Sequence, residues 1–281
     1  MSITHQLVQK LLSAPKFMGR DFLIEKLPQL FIPKAKGKVI VDTNFGFKIE
    51  LDPLFDKNIE NIIYKRGVYE LGTVSILQKL LNKGDVFVDV GANIGFLSLV
   101  ASAKVGHSGR VYAFEPVPST FEILKTNKQI NNFEQLCLNQ FALGNKNENL
   151  KIFNEKNNRG GASIINHTQS QGITISVKKL DDLNIKEKIN VIKIDVEGFE
   201  FEVLKGAEKT IKKDKPNLII EHCVEINNSA NENEIYNWIK DLGYYKIYKL
   251  KFGKERQSEL VEIISINDLP QHDNIFCIAH G

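Results

Sequence analysis

From Gly84 onward the chain repeats one rhythm of strand, turn and helix, and this constrains the fold more than any other feature. Val86–Val90 is an apolar run too short for a helix and bounded by Gly84 and Gly91, so it reads as a buried parallel strand. A helix is expected over Ile94–Lys104, a second strand over Arg110–Glu115, and a helix over Ser119–Ile130 opened by Pro116 and Pro118. Gln135–Ala142 reads as a third strand, Asn190–Asp195 as a fourth and Asn217–Glu221 as a fifth. Phe199–Lys213 and Glu232–Leu242 read as helices, with Tyr244–Tyr248 extended and Asn274–Ala279 a closing strand. The stretch Asn145–Gly161 reads as surface hairpin and loop, and Ile173–Val177 alternates like an edge strand. Strands alternating with helices give an α/β fold, a parallel sheet covered on both faces.

The first eighty residues have another texture. Two amphipathic helices are expected around Ile3–Leu12 and Phe17–Leu27, then a hairpin of Lys38–Val41 and Phe47–Leu51, then a helix over Tyr69–Leu81. This divides the chain into a cover, 1–66, and a sheet domain, 67–281. Seven basic residues (Lys10, Lys16, Arg20, Lys26, Lys34, Lys36 and Lys38) face two acids in the first forty positions, a solvated surface by default.

Composition narrows the class. With 42% hydrophobic and 25% charged residues, disorder, collagen and coiled coil are excluded. A net charge of +3, from 37 basic and 34 acidic residues, gives little field for nucleic acid, so no nucleic-acid partner is expected. Cys137, Cys223 and Cys277 are odd in number and lack CxxC spacing, which points away from disulfides and zinc and toward a reducing, cytoplasmic setting. No apolar run approaches the roughly 18 residues of a spanning helix.

In such sheets ligands bind outside the carboxyl ends of the strands, where strand order reverses. After the first strand comes Asp89-Val90-Gly91-Ala92-Asn93-Ile94-Gly95. The G-x-x-x-G spacing lacks the central glycine of the G-x-G-x-x-G dinucleotide fingerprint. Asp89 would repel a phosphate there and suits a cationic ligand such as an amino group or a sulfonium. Glu115, 24 residues after Gly91, can accept both hydroxyls of a ribose through charge-assisted bonds worth about 1.5–3 kcal/mol each. Two acids flanking a glycine turn fit S-adenosylmethionine better than NAD. The fourth strand ends in Asp195-Val196-Glu197-Gly198-Phe199-Glu200, a concentration of like charge that structure alone rarely needs. Asp195 is the first candidate for a general base, with Glu197 and His222 next; Glu221 adds a further acid to that rim, and Glu70 is placed to fold over the ligand. Oxygen ligands suit magnesium, but the spacing does not demand a metal, and none is assigned.

These motifs together resemble the FkbM-type methyltransferases. The similarity rests on Gly84–Phe96, on Leu180-Asp181-Asp182-Leu183, on Ile192–Glu200, on Leu204-Lys205-Gly206-Ala207 and on Pro216…Glu221. Gly67-Val68-Tyr69-Glu70 and Ala142-Leu143-Gly144 add to it, so the resemblance spans about residues 67–223. It implies a class I methyltransferase fold, a Rossmann-like three-layer sandwich on a seven-stranded, mostly parallel sheet whose last strand is antiparallel. It implies S-adenosyl-L-methionine as donor and O-methylation of a sugar, glycan or secondary metabolite. Carried over by position, Asp89, Gly91, Asn93 and Gly95 form the methionine-side loop, Glu115 binds ribose, Ala142 lies by the adenine, and Asp195 and Glu197 are the acceptor-side carboxylates. The rival readings are a nicotinamide oxidoreductase on the same sheet, a non-catalytic S-adenosylmethionine-binding module, and an RNA methyltransferase, the last weakened by the balanced charge.

Overall fold

The computed structural model describes residues 7–8, 31–154, 159, 161–163, 172–223 and 229–280. The expected helices Ile3–Leu12 and Phe17–Leu27 lie almost wholly outside these residues, as do Lys10, Lys16, Arg20 and Lys26. A hairpin of β1 (Val39–Asp42) and β2 (Lys48–Leu51) leads into α1 (Ile59–Arg66) and α2 (Leu71–Leu80). The alternating region follows as β3 (Val86–Val90), α3 (Phe96–Val105), β4 (Arg110–Phe114), α4 (Pro118–Gln129) and β5 (Leu136–Asn139). Next come β6 (Ala142–Leu143), β7 (Glu148–Asn154), β8 (Ala162–Ser163) and β9 (Ile173–Lys178). The chain ends with β10 (Val191–Ile194), α5 (Glu200–Gly206), α6 (Glu208–Asp214), β11 (Asn217–Cys223), α7 (Ser229–Asp241), β12 (Tyr245–Leu250), β13 (Leu260–Glu262) and β14 (His272–Ala279).

The main sheet has the order β13-β12-β14-β11-β10-β3-β4-β5. Neighbours among β11, β10, β3, β4 and β5 pair in parallel, and β14 lies antiparallel between β11 and β12. This is the expected seven-stranded class I methyltransferase sheet, with an eighth strand, β13, paired on the outer side of β12. Only three residues long, β13 carries too little pattern to be read from sequence. Side-chain alternation splits each central strand between two cores. Phe87, Val191 and Ile219 join α2, α3 and the hairpin through Leu77, Leu99 and Ile49, whereas Val88, Ile192 and Ile220 join α5, α6 and α7 through Leu204, Ile211 and Ile239. Both faces are therefore sealed, as parallel strands require.

Four expectations need correction. The third strand ends at Asn139, and Ala142 begins β6 in a separate small sheet of order β6-β9-β7-β8. The hairpin expected in Asn145–Gly161 is present, β7 pairing antiparallel with β8, but β9 is interior to the small sheet; its alternation reports one buried face, with Ile175 and Val177 inward, rather than an edge. The helix expected over Phe199–Lys213 breaks at Ala207 into α5 and α6. Helix α1 was not anticipated, although its signals are present: Glu60 in the first turn, Lys65 and Arg66 in the last, and Gly67 left-handed at φ 72° with its N–H on Ile63 O.

A Cβ at Gly206 would stand 1.9 Å from Gly144 O, so α5 reaches the turn after β6 only because residue 206 lacks a side chain. Gly206→Ala should lower the unfolding free energy by about 1–3 kcal/mol, the usual cost of overpacking, measured by urea denaturation.

Candidate active site

Strand order reverses between β3 and β10, and a cavity of about 280 Å³ opens at their carboxyl ends. The glycine turn forms its floor. Gly91 and Ala92 both donate backbone N–H to Phe114 O, at 3.0 and 2.9 Å, tying the turn to the end of β4. Gly91 has φ 80°, and a Cβ there would lie 1.8 Å from Asp195 O, so the turn after β3 packs directly on the turn after β10. Asn93 N–H and Val117 N–H each donate to one oxygen of Glu115, at 2.9 Å. Glu115 thus joins the turn to α4 while lining the cavity, and burial raises its pKa to about 7. Gly95 opens α3 at φ 92° outside the cavity lining, with Leu124 where a Cβ would be.

The acidic wall is organised by two lysines. Lys193 stands opposite Asp89 in the sheet and two residues before Asp195. Its buried Nζ lies 2.9 Å from Asp195 Oδ2 and 4.0 Å from Asp89 Oδ1. Burial opposes the Lys193 charge, but Asp195, Asp89 and Glu70 hold it protonated above its ordinary range. Asp89 also accepts from Ser98 Oγ at 2.5 Å, and burial raises its pKa. Lys254, from the loop between β12 and β13, bridges Glu70 Oε1 at 3.1 Å and Glu221 Oε1 at 2.6 Å. Burial, then Glu221, push Asp195 well above the usual carboxylate range. Glu221 is held below that range: burial opposes this, and hydrogen bonds from His272, Lys254 and Asp195 outweigh it. Burial, with Glu221 and Glu200, raises Glu197 to about 7.

Of the expected site residues, Glu70, Asp89, Gly91, Asn93, Glu115, Ala142, Asp195 and Glu197 line the cavity together. His222 does not; its ring turns to the other side of β11, where Nδ1–H donates to Pro270 O at 2.8 Å. The imidazole at the cavity is that of His272 on the adjacent strand, with Nε2 3.4 Å from Glu221. Glu200 accepts from Val196 and Gly198 N–H, holding the turn rather than the ligand space. Glu70, Asn93 and Glu197 all carry positive φ, near 50°, and such non-glycine strain gathers at functional sites.

Sequence reasoning missed Lys193, Lys254, His272 and Arg159. A lysine inside an apolar strand was a usable signal for the first; the others reach the cavity only by folding. Arg159 donates through Nε to Glu60 Oε1 at 2.6 Å and stacks over Phe55, bringing the start of α1 to the cavity with Asn58 and Ile59. The lining also has an apolar part, with Phe114, Val117, Leu143, Ile152, Ile175 and Phe199.

The lining fits S-adenosylmethionine. Buried Asp89 Oδ1 has no hydrogen-bond partner among the described residues, its neighbouring cation being Lys193 Nζ at 4.0 Å, and Glu115 shares the cavity with the apolar side chains. Asp195, Glu197 and Glu221 bring carboxylate oxygens within 4.8 Å of one another, close enough to share a divalent cation, which would compete there with the Lys254 ammonium.

The Rossmann-like sheet thus carries an acid-lined cavity at its switch point. The chain belongs to the FkbM methyltransferase domain family, whose model matches residues 89–245. It is 28% identical to Methyltransferase 1 of Beauveria bassiana, over 48% of this chain and 64% of that protein. It is 31% identical to hexuronic acid methyltransferase AglP of Haloferax volcanii, over 51% of this chain and 58% of that protein. The matches thus span less than two thirds of these relatives' own lengths. Among solved structures it is similar to an FkbM methyltransferase from Methylobacillus flagellatus, at 20% identity and TM-score 0.47, covering 76% of this chain and 51% of that one.

Because Glu115 binds its proton more tightly folded (about 7) than at its ordinary 4.5, its contribution to stability falls as pH rises through that window. The stability difference between wild type and Glu115→Gln should therefore change between about pH 4.5 and 7 and level off outside it, measured by denaturation at each pH.

Proposed function

We propose that the chain is an S-adenosylmethionine-dependent O-methyltransferase acting on a hydroxyl of a sugar, glycan or secondary metabolite. The observation that carries this is the abutment of Gly91 on Asp195, which puts the turn expected to hold the donor directly beside the acid expected to serve the acceptor. The relative from Haloferax volcanii, named a hexuronic acid methyltransferase, supports a sugar acceptor. Residues 67–281 form the catalytic unit and 1–66 its cover. Among the described residues no helix is long and apolar enough to cross a membrane.

When bound, S-adenosylmethionine supplies an electrophilic methyl group on a sulfonium, which needs no metal to activate it. The protein aligns the partners, an effect worth several kcal/mol. Glu115 and the Gly91–Asn93 turn hold the ribose and methionine side, and Asp89 takes the amino group. Asp195 accepts the proton of the acceptor hydroxyl as its oxygen forms the new bond to carbon, and proton acceptance of this kind contributes roughly 10²–10⁴-fold. Lys193, 2.9 Å away, orients the Asp195 carboxylate. Glu197 and Glu221 complete the acceptor wall, and His272 takes the place assigned to His222.

Transfer of labelled methyl groups from the donor into fractionated cellular glycans, lipids and nucleic acids tests the reading. Label in the glycan or small-molecule fraction is expected; label in nucleic acid alone would overturn the substrate class, and donor binding with no label anywhere would favour a binding module. Asp195→Asn should still bind the donor and lower turnover by roughly 10²–10⁴-fold. The base works only unprotonated, so wild-type kcat/KM should rise with pH through a value above the ordinary carboxylate range, a limb lost in Asp195→Asn. Undiminished turnover in that variant would sink the assignment.

A further inference from the structure

Six carboxylates line the cavity, from Glu70, Asp89, Glu115, Asp195, Glu197 and Glu221, against the permanent cations Arg159, Lys193 and Lys254. The Arg159 charge is spent on Glu60, outside the lining. Each lysine bridges two acids, Lys193 between Asp89 and Asp195 and Lys254 between Glu70 and Glu221. With its acids ionised the wall therefore carries an excess of negative charge; burial raises the proton affinities of Asp89, Glu115, Asp195 and Glu197, so that excess grows as pH rises.

We propose that this excess selects the cationic sulfonium donor over its neutral thioether product, and that Lys254 sets the strength of the selection. The proposal rests on the donor assignment above. S-adenosylmethionine and S-adenosylhomocysteine share their nucleoside, ammonium and carboxylate; they differ by one methyl group and one positive charge. On transfer the carbon–sulfur bond breaks, its electron pair stays on sulfur, and the hydroxyl proton passes to a wall carboxylate. Ligand and wall thus lose their opposite charges in one step, and the product keeps the contacts to its nucleoside, ammonium and carboxylate but loses this attraction. A unit charge a few ångströms away at an effective dielectric of about 20 changes affinity by a factor of ten or more.

Lys254 is suited to this role because its loop is anchored without its side chain. Gly72 N–H donates to Lys254 O at 2.8 Å, and Lys254 N–H donates to Asp273 Oδ1 at 2.9 Å. A Cβ at Gly72 would meet Arg256 O at 2.6 Å and Lys254 O at 2.8 Å, so the loop seats on α2 through backbone contact. Lys254 also lies beyond the segment 89–245 that matches the family model.

Calorimetric titration of the full chain at pH 8 with S-adenosylmethionine and with S-adenosylhomocysteine provides the test. The wild type should bind the sulfonium at least about tenfold more tightly. Lys254→Met should widen the ratio a further three- to tenfold, and Glu221→Gln should narrow it; Glu197→Gln serves the same end if Glu221→Gln fails to fold. A substitution that only disturbs packing weakens both ligands alike and leaves the ratio unmoved. Equal affinities in the wild type, or a ratio unmoved by Lys254→Met, overturn the selection alone. Binding of neither ligand overturns the donor assignment and the selection with it.

Discussion

The buried ammonium of Lys193 between Asp195 and Asp89 is the interaction on which the site depends. Two carboxylates brought to the ends of adjacent buried strands would repel each other and lose their hydration, a cost of several kcal/mol per ion. A cation reaching both from within β10 offsets that cost and lets the turn after β3 sit against the turn after β10. Gly91 then approaches Asp195 O closely enough that no side chain fits between them. The cavity, its acids and its floor follow from that one juxtaposition.

A second clamp completes the same wall by joining the start of α2 to the C-terminal strands. Asn274 Nδ2 donates to Glu70 Oε2 across 204 residues, and Lys254 ties the same Glu70 to Glu221. Glu70 adopts a left-handed backbone just ahead of α2 and is held there by Asn274 on β14 and Lys254 in the loop after β12. Strain of about 1–3 kcal/mol at such a residue persists only when surrounding structure over-determines it. The hairpin of β1 and β2 contributes in another way, sharing one core with β3 and α3 and bonding to α4 through Asn127 and Asn131.

Much of this was legible in the residues before any coordinates. Parallel strands announce themselves as apolar runs between turn residues, because both of their faces are buried. The acids at their carboxyl ends stand out because an apolar strand has no structural use for them. Asp89, Glu115, Asp195 and Glu197 were found this way, and all four line one cavity. His222 was misplaced because sequence adjacency to Glu221 ignores the pleat: neighbouring side chains on a strand point to opposite faces. The small sheet escaped notice because Ala142–Leu143 and Ala162–Ser163 are too short to show a period.

By itself, then, the sequence determined the alternation of strands and helices in the main sheet, its double cover, the glycine turn and the acids at strand ends, since these depend on local periodicity and residue chemistry. Only the tertiary structure decided which charges meet. Lys254, His272 and Arg159 enter the cavity from the loop after β12, from β14 and from beyond β7, and no local pattern marks a residue for a partner a hundred positions away. Electrostatic balance in a buried site is a property of distances, and distances between remote segments exist only once the chain has folded.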